Sequence, residues 1–220
     1  TGPNLADISL PPGFSIEIWT DEVPNARSMA LGENGTVFVA TRRDGRIFAV
    51  SPSDAGPPVV TTLAEGLRMP NGVATNEGYL FVAENHRIIR FDDIEAHLES
   101  MPEPVVVIDT LLRERHHGWR YIDFGPDGKL YISLGAPCNV CEGEGSANIS
   151  RMNPDGSDLH DILGVSIRQS FLETNGIHHS LVDFIEFIPA ATLNGLLQTQ
   201  NARLARVIVV VLQIVALLMM

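Results

Sequence analysis

The chain has 220 residues, with 15 Lys and Arg against 27 Asp and Glu, two Cys, and 45% hydrophobic residues. That length suits one domain, or one domain and a tail, and the apolar fraction excludes wholesale disorder. A net charge of −12 excludes a general nucleic-acid binder, which needs a basic face, and two Cys exclude a disulfide-dense scaffold.

The chain starts at Thr1 rather than Met, so a processed or cut N-terminus is expected. No signal peptide is visible in the first residues. From Ala30 onward the sequence repeats itself. Ala30-Leu31-Gly32-Glu33-Asn34-Gly35 leads into Thr36-Val37-Phe38-Val39-Ala40, and Arg42-Arg43-Asp44-Gly45 turns into Arg46-Ile47-Phe48-Ala49-Val50. The second unit runs from Gly72-Val73-Ala74 through a turn at Asn76-Glu77-Gly78 to Tyr79-Leu80-Phe81-Val82-Ala83 and Arg87-Ile88-Ile89-Arg90-Phe91. The third runs from Tyr121-Ile122-Asp123-Phe124 through Gly125-Pro126-Asp127-Gly128 to Lys129-Leu130-Tyr131-Ile132-Ser133. Its last strand is read at Asn148-Ile149-Ser150-Arg151-Met152.

Each unit is a set of short β-rich runs joined by Asx-Gly or Pro-Asp-Gly turns, where Gly supplies the positive φ. The units start roughly 40–50 residues apart, the period of four-stranded propeller blades. One blade cannot bury both faces alone, so neighbours must stack around an axis. The expected fold is therefore an all-β propeller of about three to four blades. An ordinary antiparallel sandwich is the competing architecture.

Between the second and third units, Asp92-Asp93-Ile94-Glu95-Ala96-His97-Leu98-Glu99 is helix-permissive, and Met101-Pro102-Glu103-Pro104 stops any helix. Val105-Val106-Val107-Ile108 is predicted as a buried strand. After Asp161 the pattern fails. Residues 1–161 carry 12 basic and 24 acidic side chains and 16 of the 19 Gly, whereas residues 162–220 carry three of each charge. The division expected is a partial propeller over 1–161 and an atypical tail over 162–220. Phe184-Ile185-Glu186-Phe187-Ile188-Pro189 could form a strand. Val207 through Met220 is apolar except for Gln213, short for a membrane span, which needs about 20 residues. A marginal tail anchor and a buried element are weighed against a non-native, frameshifted end. The joint loss of acidity, Gly and repeat favours the last.

Three clusters could carry chemistry. Arg113-Glu114-Arg115-His116-His117-Gly118-Trp119-Arg120-Tyr121 stands just before a strand, where inter-blade connections of a propeller line the axial mouth. His exchanges a proton near neutral pH, and Arg offers a planar donor fork to a carboxylate or quinone oxygen. A solvated loop with one His packed on Trp119 is the bland alternative. Pro137-Cys138-Asn139-Val140-Cys141 is a Cys-x-x-Cys pair followed by Glu142, not the His that haem attachment needs. With no second Cys pair for zinc, a local disulfide or two reduced thiols remain. Asn71, Glu84 and Asn85 offer oxygens suited to Ca²⁺, set against ordinary turn chemistry. No P-loop, dinucleotide Gly fingerprint, Gly-x-Ser-x-Gly elbow or His-Glu-x-x-His is present.

Several segments together resemble the glucose/sorbosone dehydrogenase family of soluble, pyrroloquinoline-quinone-dependent sugar dehydrogenases. They are Leu10-Pro11-Pro12-Gly13-Phe14, Met69-Pro70-Asn71-Gly72-Val73-Ala74, His116-His117-Gly118-Trp119-Arg120, Gly135-Ala136-Pro137-Cys138-Asn139-Val140-Cys141 and Arg151-Met152-Asn153-Pro154-Asp155-Gly156. The resemblance covers roughly residues 8–161. It implies a six-bladed propeller with pyrroloquinoline quinone and Ca²⁺ at the axial end, a periplasmic or secreted location, and a sugar substrate. An electron acceptor such as a quinone or cytochrome follows from the same resemblance. By it, His116 is the catalytic base, with His117 second, and Arg168 and Gln169 contact the quinone. Arg115 stands where the glucose enzymes have an Asp before that His. Six blades need on the order of 300 residues, so the chain is expected to be a fragment and inactive on its own, with unpaired faces that invite aggregation. Two other functions compete: a calcium-dependent lactonase using Asn71, Glu84 and Asn85, and a non-enzymatic propeller that binds carbohydrate or protein through His116 and Arg120. Membrane association is not expected apart from the hydrophobic tail.

Overall fold

A computed structural model describes residues 5–113, 117–137 and 147–164. Twelve strands are formed among them, in three four-stranded antiparallel sheets. The first blade contains β1 (Ala26–Leu31), β2 (Val37–Thr41), β3 (Ile47–Ser51) and β4 (Val59–Ala64). The second contains β5 (Gly72–Asn76), β6 (Tyr79–Ala83), β7 (Ile88–Phe91) and β8 (Val105–Ile108). The third contains β9 (Ile122–Phe124), β10 (Leu130–Leu134), β11 (Asn148–Met152) and β12 (His160–Gly164). In every blade the strands lie in sequence order, each paired with the next. The innermost strands β1, β5 and β9 lie side by side, and Thr75 Oγ1 on β5 donates to Leu31 O on β1 at 2.8 Å. This is the expected propeller, with three blades among the described residues.

The local chemistry explains the strands. β5 and β6 pair from Gly72↔Ala83 to Asn76↔Tyr79 across a two-residue turn, Glu77 at φ 50° and Gly78 at φ 80°. Two consecutive positive φ values match the right-handed twist of the flanking strands. The middle blade is buried on both faces, so β6 is an unbroken apolar run. Leu80 and Val82 pack with Phe38, Ala40, Ile47 and Ala49 of the first blade, while Phe81 and Ala83 pack with Ile122, Leu130 and Ile132 of the third. Phe81 meets Phe124 edge-on at 5.0 Å between ring centroids. Each such buried side chain contributes about 1.5–3 kcal/mol. The third blade instead alternates. Leu130, Ile132 and Leu134 are buried, with Tyr131 and Ser133 between them half-buried.

Three details differ from the sequence reading. Val105 and Val106 on β8 are 44% and 50% exposed, so this strand is not buried. It is the outer edge of its blade, where only one neighbour covers it. β12 is a strand that the turn pattern did not register, and it straddles the boundary drawn at Asp161. The helix-permissive stretch yields only a single 3₁₀ turn, Ile94–Ala96. Phe184–Pro189 and Val207–Met220 lie outside the described residues. Among those described, no helix is long and apolar enough to cross a membrane.

Strand direction sorts the connections into two ends. Because the strands alternate, the β2–β3, β6–β7 and β10–β11 turns leave at the same end as the links between blades. Hydrogen bonds confirm this: Leu67 N–H donates to Gly45 O at 3.0 Å, and Asn85 N–H donates to Arg68 O at 3.3 Å. Arg42, Arg43, Arg68, Arg87, Arg113 and Arg120 gather at this end. The opposite end is dominated by carboxylates, including Glu77, Asp92, Asp93, Glu95, Asp127 and Asp155. There Glu95 accepts the Asn34 N–H and ties the first blade to the second.

Candidate functional site

The arginine-bearing end is built from four connections held together by buried polar side chains. Asn71 closes the link from β4 to β5. Its N–H donates to Ala83 O at 3.2 Å, and its Nδ2 donates to Arg120 O at 2.9 Å. Its Oδ1 is buried without a hydrogen-bond partner. Arg120, 1% exposed, precedes β9 and donates to Asn85 O at 3.2 Å and Leu112 O at 2.5 Å. One guanidinium therefore ties the β8–β9 connection to the β6–β7 turn. Gly72 sits against this link. A Cβ there would come within 2.8 Å of Arg120 O and 3.0 Å of Ile122 N, so only Gly permits the approach.

Glu84 and Asn85 are 1% and 0% exposed. The Glu84 carboxylate accepts the Arg68 N–H with one oxygen and the Arg87 Nε–H with the other. Asn85 Oδ1 lies 3.3 Å from His86 Nδ1. Desolvation holds His86 below the ordinary imidazole range, helped by the guanidiniums of Arg87, Arg113 and Arg68 and opposed by Glu84. His86 is thus biased towards its neutral form.

His117 has a left-handed backbone, φ 52°, and its Nδ1 lies 3.2 Å from Ala136 O. Gly135 lets the two connections nest, because a Cβ there would overlap the His117 carbonyl. Just downstream, Trp119 lies under the guanidinium of Arg42, 3.9 Å from Cζ to the ring centroid. Tyr121 N–H donates to Ser133 Oγ at 2.9 Å. Burial, with the nearby Asp123 charge, pushes the Tyr121 phenol up to about 12.

The structure brings Asn71, Glu84, Asn85, His117 and Arg120 to one end. It assigns them different work. Both Glu84 oxygens are engaged by the chain itself, so Asn71, Glu84 and Asn85 form a turn scaffold. Asn71 Oδ1 is the acceptor they leave unused. Among the described residues no group of three His, Cys, Asp or Glu could hold a metal ion. Arg120, a candidate for lining a recognition surface, is instead buried and holds backbone carbonyls. His116, Cys138, Cys141, Arg168 and Gln169 lie outside the described residues. The Arg42–Trp119 contact was missed by sequence reasoning, because the two residues are separated by more than a blade. The one available signal was the Arg42-Arg43 pair in a turn on the same end.

No protein-family model and no curated protein matches the sequence. Solved structures do. The holo quinone domain of pyranose dehydrogenase from Coprinopsis cinerea aligns with a TM-score of 0.52 at 13% identity, covering 61% of this chain and 34% of that one. The iodide structure of a Trichoderma reesei carbohydrate-active enzyme of family AA12 aligns with a TM-score of 0.52 at 16% identity, covering 61% and 37%. The calcium structure from the same source gives 0.51 at 15% identity, covering 59% and 35%. This chain therefore spans about a third of the length of these solved chains. The three blades and the order of their strands are those of a β-propeller similar to the quinone domains of sugar dehydrogenases.

Proposed function

We propose that this propeller belongs to a quinone-dependent oxidoreductase that oxidises a sugar or aldose hydroxyl, secreted or periplasmic, with pyrroloquinoline quinone as cofactor. The observation that carries this reading is the convergence, at one end of a sugar-dehydrogenase-like propeller, of the His117–Arg120 connection with the arginine-bearing turns. The quinone, when bound, supplies a two-electron acceptor for the hydride of the oxidised carbon. His116 takes the hydroxyl proton in this reading. The nested His117 and the buried Arg120 hold the connection that bears it. Arg168 and Gln169 are the proposed quinone contacts, and a second quinone or a cytochrome is the proposed final acceptor. Ca²⁺ remains part of the proposal on resemblance alone, and no step is assigned to it. A calcium-dependent lactonase is the second reading, in which Glu84 would take the metal beside the Arg68 and Arg87 donors it already accepts.

Absorbance titration of the complete gene product with pyrroloquinoline quinone at saturating Ca²⁺ tests the proposal. Saturable binding with a shifted absorbance is expected, retained in His116→Ala. Absence of binding would overturn it.

A further inference from the structure

Arg42 combines an aromatic stack with the lack of a carboxylate partner among the described residues. Its guanidinium is stacked on Trp119 at 3.9 Å, yet it makes no ion pair or hydrogen bond with any described residue. Its neighbour Asp44 is engaged by Asn25 Nδ2 at 2.9 Å and by Arg46 at 3.2 Å. Arg46 and Arg87, in turns of the same end, each have a carboxylate. Stacking covers one face of the guanidinium and leaves the in-plane N–H edge for a partner. That edge matches a carboxylate in a bidentate fork. The Arg42 side chain is half-buried, so it is fixed and still reachable. Burial and the adjacent charges of Arg43 and Arg27 disfavour its cationic form, which an arriving anion would relieve.

We infer that Arg42, stacked on Trp119, recognises a carboxylate on the substrate, which makes the substrate an acidic sugar of the uronate class rather than a neutral one. This inference deepens the reading of a sugar-oxidising propeller and rests on it. Arg42 belongs to the first blade and Trp119 to the connection that bears His117. A sugar acid gripped there lies beside the connection assigned to proton transfer. The same carboxylate chemistry could come from the quinone, and the experiment must separate the two sources.

The test uses the full chain in a Trp19→Phe background, so that Trp119 is the sole indole; the chain has two Trp and Trp19 is 42% exposed. Fluorescence is followed during addition of D-glucuronate or D-glucose, and quinone binding is titrated in parallel by absorbance. Glucuronate is expected to change the Trp119 emission saturably, and glucose at the same concentration is not. Arg42→Gln is expected to weaken glucuronate binding about tenfold or more while leaving the far-UV circular dichroism and the quinone titration unchanged. Arg42→Lys keeps the charge without the fork and is expected to weaken it several-fold, which preserves the test if the Gln variant fails to fold. Equal responses to the two sugars, or unchanged glucuronate binding in Arg42→Lys, would overturn the inference. Loss of quinone binding in Arg42→Gln with no glucuronate response in the parent would assign the carboxylate to the quinone and overturn it as well. Quinone binding without a glucuronate response would sink the inference alone. Glucuronate binding without quinone binding would sink the redox reading and leave the carboxylate site standing.

Discussion

Substitution of Gly135 by Ala probes how the His117 connection is seated. A Cβ at Gly135 would overlap the His117 carbonyl and lie 2.9 Å from His117 Cβ, roughly half an ångström inside ordinary contact. The obstacle is backbone, so relief requires the 117–120 segment to move away from the β10–β11 connection. Over-packing of this kind costs about 1–3 kcal/mol. Losing the His117–Ala136 hydrogen bond adds about 1 kcal/mol. Gly-to-Ala replacement returns about 0.4–1 kcal/mol by stiffening the unfolded chain. The net expectation is a loss of about 2 kcal/mol in urea unfolding, together with a shift of the His117 imidazole resonances. Gly56→Ala is the control. It meets nothing within 4 Å and has no positive φ, so it should be neutral or slightly stabilising. If Gly135→Ala unfolds like Gly56→Ala and leaves the His117 resonances in place, the nesting argument is wrong.

Three further outcomes are expected. Phe81→Ala removes a fully buried ring from between the second and third blades and should cost about 3–5 kcal/mol in denaturant unfolding; a loss below about 1 kcal/mol would show that the blades do not pack through it. Arg120→Ala leaves the Asn85 and Leu112 carbonyls without their donor and should cost about 3 kcal/mol, with increased amide exchange in both connections; unchanged exchange would contradict the bridging role. Tyr121 should ionise near pH 12 by ultraviolet difference titration, against 10 for a free phenol. Its folded value is raised, so the native state keeps a proton that the unfolded chain loses above pH 10. Its contribution to stability is therefore whole below pH 10 and declines as pH rises towards 12. Ionisation at 10 in the folded chain would refute the burial assigned to it.

The blade architecture was legible because its determinants are local. Turn residues such as Glu77-Gly78 and Pro126-Asp127-Gly128 set hairpin geometry within a few residues, and the period of the units set their number. Burial of outer strands was not legible. Val105-Val106-Val107-Ile108 has the composition of a core strand, yet its place at a blade edge depends on which strands pair with it. β12 was missed for a related reason: His160-Asp161-Ile162-Leu163-Gly164 has little alternation, and pairing with β11 makes it a strand.

The sequence by itself determined an all-β chain of repeating four-stranded units and a His- and Arg-bearing segment just ahead of an inner strand. Those follow from turn chemistry and periodicity, which act over short spans. Tertiary structure alone decided what the polar residues do. In the sequence Glu84 suits either a metal or ordinary turn chemistry, and folding turns both its oxygens onto donors of its own connections. Arg42 and Trp119 have no relation along the chain. They meet because antiparallel strands return every second connection to the same end, and stacking the blades brings those ends together.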